Sequence, residues 1–168
     1  LVRIDVENAR GENLTNGDLV GTKDGSAYGL VFDPQDENVF YFSNNDKHCI
    51  YKYDLRTKEC ACWAGQEGKS GYLDGPIGQA MFNKPGQMCV DSEGNIILTD
   101  TENHCIRKIT MSTGYVSTLA GKPQNSGYVN GSAEDAQFKK PLGICIDNDD
   151  VMYIGDSENR AIRRLAVE

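Results

Sequence analysis

No apolar run in the sequence approaches the ~18 residues that a membrane-crossing helix requires, so no transmembrane segment is expected within it. Basic charge is also short: 17 Lys and Arg stand against 25 Asp and Glu, for a formal net charge of -8. Without clustered cations a phosphate backbone has little to bind, which argues against a nucleic-acid partner. There is no Gly-x-Ser-x-Gly elbow, no phosphate-cradling glycine loop and no Ser-His-Asp pattern, so nucleophilic catalysis has no anchor. Histidine is nearly absent, with His48 and His104 the two examples, and Cys60-Ala61-Cys62 has no second Cys or His cluster at ligand spacing. Structural zinc asks for four ligands, so neither a metal nor a cofactor is expected. What is present, 39% apolar residues in a 168-residue chain, is enough to bury a core.

The organising feature is repetition. Phe82, Pro85, Cys89, Asp100, Asn103 and Ile106 return at Phe138, Pro141, Cys145, Asp156, Asn159 and Ile162, each 56 residues later. His48-Cys49-Ile50 and Ala64-Gly65 precede their counterparts by the same interval, and residues 1–4 resemble the 106–109 stretch. A fixed period of this size signals a propeller, solenoid or array. The cysteines follow the period too, which suggests small apolar side chains in equivalent strand slots for the pairs Cys49/Cys105 and Cys89/Cys145.

Within the central unit, alternation and β-branched content predict four short strands at 87–90, 95–99, 105–109 and 115–119. Gly94 and Gly114 supply the hairpin turns between them. The next unit copies three of these strands at 143–146, 152–155 and 161–165. The preceding one has all four, at 29–32, 39–43, 49–53 and 60–63, with two extra residues in its first turn. Residues 1–5 read as a third strand and Leu19-Val20 as the end of a fourth. Serial four-stranded antiparallel units are propeller blades. The expected fold is therefore all-β, a partial propeller with the end of one blade at 1–26, blades at 27–65 and 66–121, and at 122–168 a blade without its last strand. Such an arrangement leaves sheet edges and one apolar blade face open, so a ring completed by a missing N-terminal half or by a second copy in a homodimer is expected.

Asp147-Asn148-Asp149-Asp150 occupies the position of the 91–94 hairpin and lacks the distal Glu of a calcium loop, so it reads as a turn. Asp100 and Asp156, repeated at the ends of equivalent strands, read first as turn architecture and second as carboxylates that bind a cation or act as acid and base. The connectors at 65–84 and 121–140 are much longer than the usual ~2–6 residues, and long loops on a rigid scaffold tend to carry function. Each holds a tyrosine followed by Asp-Gly or Asn-Gly. The candidate binding face is thus Tyr72, Asp74, Asp100, Asn103, Tyr128, Asn130, Asp156 and Asn159, with a protein, peptide or glycan as the expected partner.

Asp100-Thr101-Glu102-Asn103-His104-Cys105-Ile106-Arg107-Lys108-Ile109, then Val116 to Gly121, Gly131, Ala136-Gln137-Phe138 and Pro141, resemble the NHL-repeat family of β-propellers. The first unit departs from the pattern, with Lys47 in the place of Asn103 and Tyr51-Lys52 in that of the basic pair. The Gly-Tyr-x-Asp/Asn-Gly connectors are similar to those in the C-terminal NHL halves of surface proteins of gut Gram-negative anaerobes, in which a TIG-like domain often precedes the propeller. That resemblance implies an extracytoplasmic, cell-surface or periplasmic, lipid-anchored binding protein, while the strand count suggests about half of a six-bladed ring and the lack of a catalytic constellation a non-enzymatic role. The alternative it leaves open is a propeller enzyme of the lyase or lactonase type with a metal in the channel.

Overall fold

The computed structural model describes residues 2–5, 10–13 and 26–166. Its strands are β1 (Val2–Asp5), β2 (Arg10–Asn13), β3 (Ala27–Phe32), β4 (Val39–Asn44), β5 (Cys49–Asp54), β6 (Cys60–Gly65), β7 (Gly75–Pro76), β8 (Pro85–Val90), β9 (Ile96–Asp100), β10 (Cys105–Thr110), β11 (Tyr115–Ala120), β12 (Pro141–Ile146), β13 (Met152–Asp156) and β14 (Ala161–Leu165). They form antiparallel sheets in the orders β3-β4-β5-β6, β7-β11-β10-β9-β8 and β12-β13-β14, with β1-β2 apart. The strand partner of β1 is Arg10–Asn13, whereas Leu19-Val20 lies outside the described residues. Every strand expected from alternation between residues 27 and 165 is found, most of them one or two residues longer. The addition is β7, a two-residue strand in the first connector that pairs with the outer edge of β11.

The core lies between the sheets. Val39, Tyr41, Ile50 and Ala64 of the first blade pack on Met88, Ile96, Leu98 and Ile109 of the second. Ile97, Ile106 and Ala120 of the second pack in turn on Ile144, Met152 and Ile154. Strict alternation is what allows this, since odd and even positions of each strand face opposite neighbours. Each interface is closed by a phenylalanine from the connector, Phe82 in one and Phe138 in the other.

Polar stitches join the inner strands of successive blades. Ser43 Oγ donates to the Gly86 carbonyl at 2.6 Å, and Thr99 Oγ1, 56 residues on, donates to the Leu142 carbonyl at 2.8 Å. Backbones approach so closely here that a Cβ on Gly29 would lie 2.8 Å from Gln87 Cα. The next residue in the series is Gly155, which has no hydroxyl to continue the stitch. Cys49 and Cys105 are fully buried, as their equivalence suggested. Cys145 is exposed, unlike its counterpart Cys89, because β12 turns this face away from the second blade.

The two histidines form a second stitch. His48 and His104 both adopt the left-handed conformation, with φ of 57°. Their Nδ1 atoms accept the amide protons of Lys84 and Lys140 at 3.1 and 3.2 Å. Acceptance at Nδ1 places the proton on Nε2 and leaves no second lone pair for a metal. Burial, with help from the Lys84 charge, holds the His48 imidazole below its ordinary value of 6.5. A depressed folded-state value contributes stability that is present above the unfolded value and lost as pH falls through the folded one. An NMR titration of His48 is expected to give a midpoint below 6.5; a midpoint above it would contradict the acceptor role.

Candidate functional site

The two connectors and the turns after β9 and β13 lie on one face, and each connector is gripped by an arginine. Arg107, on β10, is 0% exposed. Its Nη1 donates to Asp100 Oδ2 at 2.7 Å and to the Met81 carbonyl at 3.1 Å. Its Nη2 donates to Asp74 Oδ1 at 2.7 Å and to the Leu73 carbonyl at 2.9 Å. The guanidinium carbon sits 4.8 Å from the Tyr72 ring centroid and 5.2 Å from that of Phe82, so the planar cation lies between two aromatic rings. Asp100 is shared further: its Oδ1 accepts the Asn83 amide at 2.8 Å and its Oδ2 accepts Asn103 Nδ2, which also reaches the Gly71 carbonyl. Burial pushes the Asp100 carboxyl up to about 6, against the opposing pull of Arg107 and the donors from Asn103 and Asn83.

The third blade repeats the cage. Arg163 Nη1 donates to Asp156 Oδ2 at 2.9 Å and to the Gln137 carbonyl at 3.0 Å. Its Nη2 donates to the Val129 carbonyl and to Asn130 Oδ1, both at 2.7 Å, and its guanidinium carbon lies 5.0 Å from the ring centroids of Tyr128 and Phe138. Asn159 bridges Asp156 and the Gly127 carbonyl, as Asn103 does one blade earlier. In the first blade Tyr51 stands at the arginine position and hydrogen-bonds Glu67 at 2.7 Å, so the cage is absent there.

The eight residues singled out from sequence are thus brought together, in two equivalent groups of four. Asp100, Asn103 and Asp156 are buried inside the cages and present no free surface. Tyr72 is half-buried: its hydroxyl contacts Thr118 Oγ1 at 2.7 Å, while Asp74 accepts from the Thr118 amide. Tyr128 is 61% exposed and Asn130 is also exposed. The residues that sequence reasoning missed are the arginines. Their signal was a charged residue at an inward position of an alternating strand, between Cys105 and Ile109 and again between Ala161 and Leu165. Leu73 and Val129, the neighbours of the two tyrosines, expose 46% and 43% of their surface at the connector tips. Among the described residues there is no group of three His, Cys, Asp or Glu side chains placed to hold a metal ion. Asp147, in the acidic hairpin, accepts the Asp149 and Val151 amides at 3.0 and 2.9 Å, as Asp91 does for its own turn.

Antiparallel blades joined side by side through inner strands, with connectors that cross one face, define a β-propeller. The NHL repeat model matches residues 82–109, which span β8 to β10 and include the first cage's Asp100, Asn103 and Arg107. One stretch of the chain thus matches an NHL repeat, and the chain has the fold of a partial β-propeller. Among curated proteins it is 30% identical over 152 residues to NHL repeat-containing protein 2 of Gallus gallus, covering 89% of this chain and 19% of the relative. It is 28% identical over 173 residues to SUPPRESSOR OF QUENCHING 1, a chloroplastic protein of Arabidopsis thaliana, covering 98% of this chain and 16% of the relative. A Bacteroides thetaiotaomicron structure of unknown function superposes with a TM-score of 0.88 at 30% identity, over 99% of this chain and 42% of that one. An auxiliary nutrient binding protein of Bacteroides ovatus superposes with a TM-score of 0.82 at 27% identity, over 99% of this chain and 43% of that one. The chain therefore spans under half the length of these structures and under a fifth of these curated relatives. Virginiamycin B lyase of Staphylococcus aureus shares the fold at 15% identity, with a TM-score of 0.57.

Proposed function

We propose that this chain is a non-enzymatic, extracytoplasmic binding scaffold that holds a glycan, peptide or protein ligand on its connector face. The observation that carries the reading is the division of labour there. The carboxylates suited to chemistry are consumed by the arginine cages, while Leu73 and Val129 stand exposed on loops those cages hold still. Preorganised loops that present apolar and aromatic surface lose little entropy on binding, which favours recognition. The likeness to auxiliary nutrient binding proteins of Bacteroides supports the same reading. A catalytic site would want a carboxylate or imidazole with a free coordination or proton-transfer position; in both cages those positions are filled.

The test is retention on glycan and peptide arrays by the chain and by a Leu73→Ser/Val129→Ser variant. Both side chains are exposed, so folding is expected to be unchanged, and retention is expected to fall at least tenfold. Equal retention by the variant would remove the connector tips from the binding face.

A further inference from the structure

The first blade has no arginine cage, and a pair of cysteines stands in its place. In the second blade the cage reaches β11 through Thr118, which lies opposite Arg107 and gives its amide and its hydroxyl to Asp74. In the first blade Tyr51 holds the arginine position. Cys62, 56 residues before Thr118, lies opposite it, and the strand register shifts at the same step. Cys49 precedes Tyr51 by two residues on β5. Alternation therefore turns Cys49, Tyr51 and Cys62 to one face, where they join the cluster of Phe40, Phe42 and Tyr53. There the Cys49 and Cys62 thiols, both free, are hydrogen-bonded to each other. The later blades do not repeat the pair: Thr118 stands in the place of Cys62 in the second, and Ala161 in that of Cys49 in the third.

The two thiols are not equivalent. Cys49 is fully buried, whereas Cys62 is half-buried and open to a reagent. Cys49 donates to Cys62 and, with the Glu67 amide, holds the Cys62 thiol below its ordinary value of 9.0, against burial and the Glu67 charge. The same hydrogen bond, with burial, raises Cys49, and burial pushes Cys60 up to about 11. An accessible thiolate backed by a buried thiol is the arrangement that thiol–disulfide exchange requires. We infer that Cys49 and Cys62 form a redox-active dithiol, in which Cys62 attacks a small-molecule disulfide and Cys49 resolves the product to a Cys49–Cys62 disulfide. In the first step the Cys62 sulfur bonds to one sulfur of the small disulfide, whose S–S bond breaks to release one small thiolate. In the second the Cys49 sulfur bonds to Cys62 Sγ and displaces the other. The two protons of the protein thiols end on the two leaving thiolates, so two cysteines are oxidised and the small disulfide is reduced to two thiols. The bond would tie β5 to β6 where Arg107 and Asp74 tie β10 to β11.

The pair involves no residue of the connector tips, so its chemistry is tested apart from ligand binding. The folded protein is incubated with glutathione disulfide, remaining thiols are alkylated, and the digest is mapped by mass spectrometry. The expected product is a Cys49–Cys62 link that dithiothreitol reverses and that Cys60→Ser retains. Cys49→Ala is expected to stop at glutathione on Cys62, and Cys62→Ser to leave Cys49 unmodified. In unoxidised wild type, Cys62 is expected to alkylate at least about tenfold faster than Cys60, and Cys49→Ala, which removes the donor, to lose most of that lead. A Cys60–Cys62 link, glutathione on Cys49 in Cys62→Ser, or recovery of both thiols after oxidant would overturn the dithiol. An undiminished lead in Cys49→Ala would overturn the part assigned to Cys49 in activating Cys62.

Discussion

Replacing Arg107 with alanine is expected to destabilise the chain by about 3–5 kcal/mol, the loss found when one partner of a buried ion pair is removed. The cost arises from what stays behind. Asp100 is 0% exposed and would keep only the Asn83 amide and Asn103 Nδ2 as donors, with no cation to offset its burial. The Met81 and Leu73 carbonyls would keep only each other's backbone amides, and the Tyr72 and Phe82 rings would face an empty volume where the guanidinium lay. Denaturant unfolding of wild type, Arg107→Ala, Asp100→Ala and the double variant gives the coupling directly. The double variant is expected to cost less than the two single losses added together. A single-variant loss below about 1 kcal/mol, the range of exposed pairs, would show that the cage holds nothing.

The second large effect is expected from Phe82→Ala, at about 3–5 kcal/mol. Phe82 is fully buried in the cluster shared by the first two blades and is one of the two rings flanking Arg107. Its removal therefore opens a cavity at a blade interface and strips one side of the cage. Thermal unfolding monitored by near-ultraviolet circular dichroism checks this, since Trp63 packs against the same cluster. A Tm within a degree or two of wild type would mean that the connector does not contribute to the join between blades.

The strands were legible because alternation is enforced on both faces. A blade interior has core on either side, so a misplaced residue at any position is penalised. β7 was not legible, because Gly75 and Pro76 are among the poorest strand formers and become a strand only through pairing with β11. The period of 56 exposed Asp100, Asn103 and the tyrosines as equivalent sets. It could not say whether they faced a ligand or one another, since that depends on where the intervening connector lands. The missing fact was an inward arginine, whose two Nη groups draw two carbonyls and two side-chain oxygens around it. Tyr72 and Tyr128 look alike in sequence and differ in exposure because β11 covers one and no described strand covers the other.

The central claim is that the repeated carboxylates are framework and the exposed connector tips are the binding surface. The direct measurement is array retention by wild type, Asp156→Asn and Leu73→Ser/Val129→Ser at matched folded fraction, established by unfolding curves. The account predicts that Asp156→Asn, altered only inside a cage, retains ligand as wild type does while the tip variant loses it. Loss of retention in Asp156→Asn with the tip variant unaffected would contradict the account and return the carboxylates to the role of a ligand site.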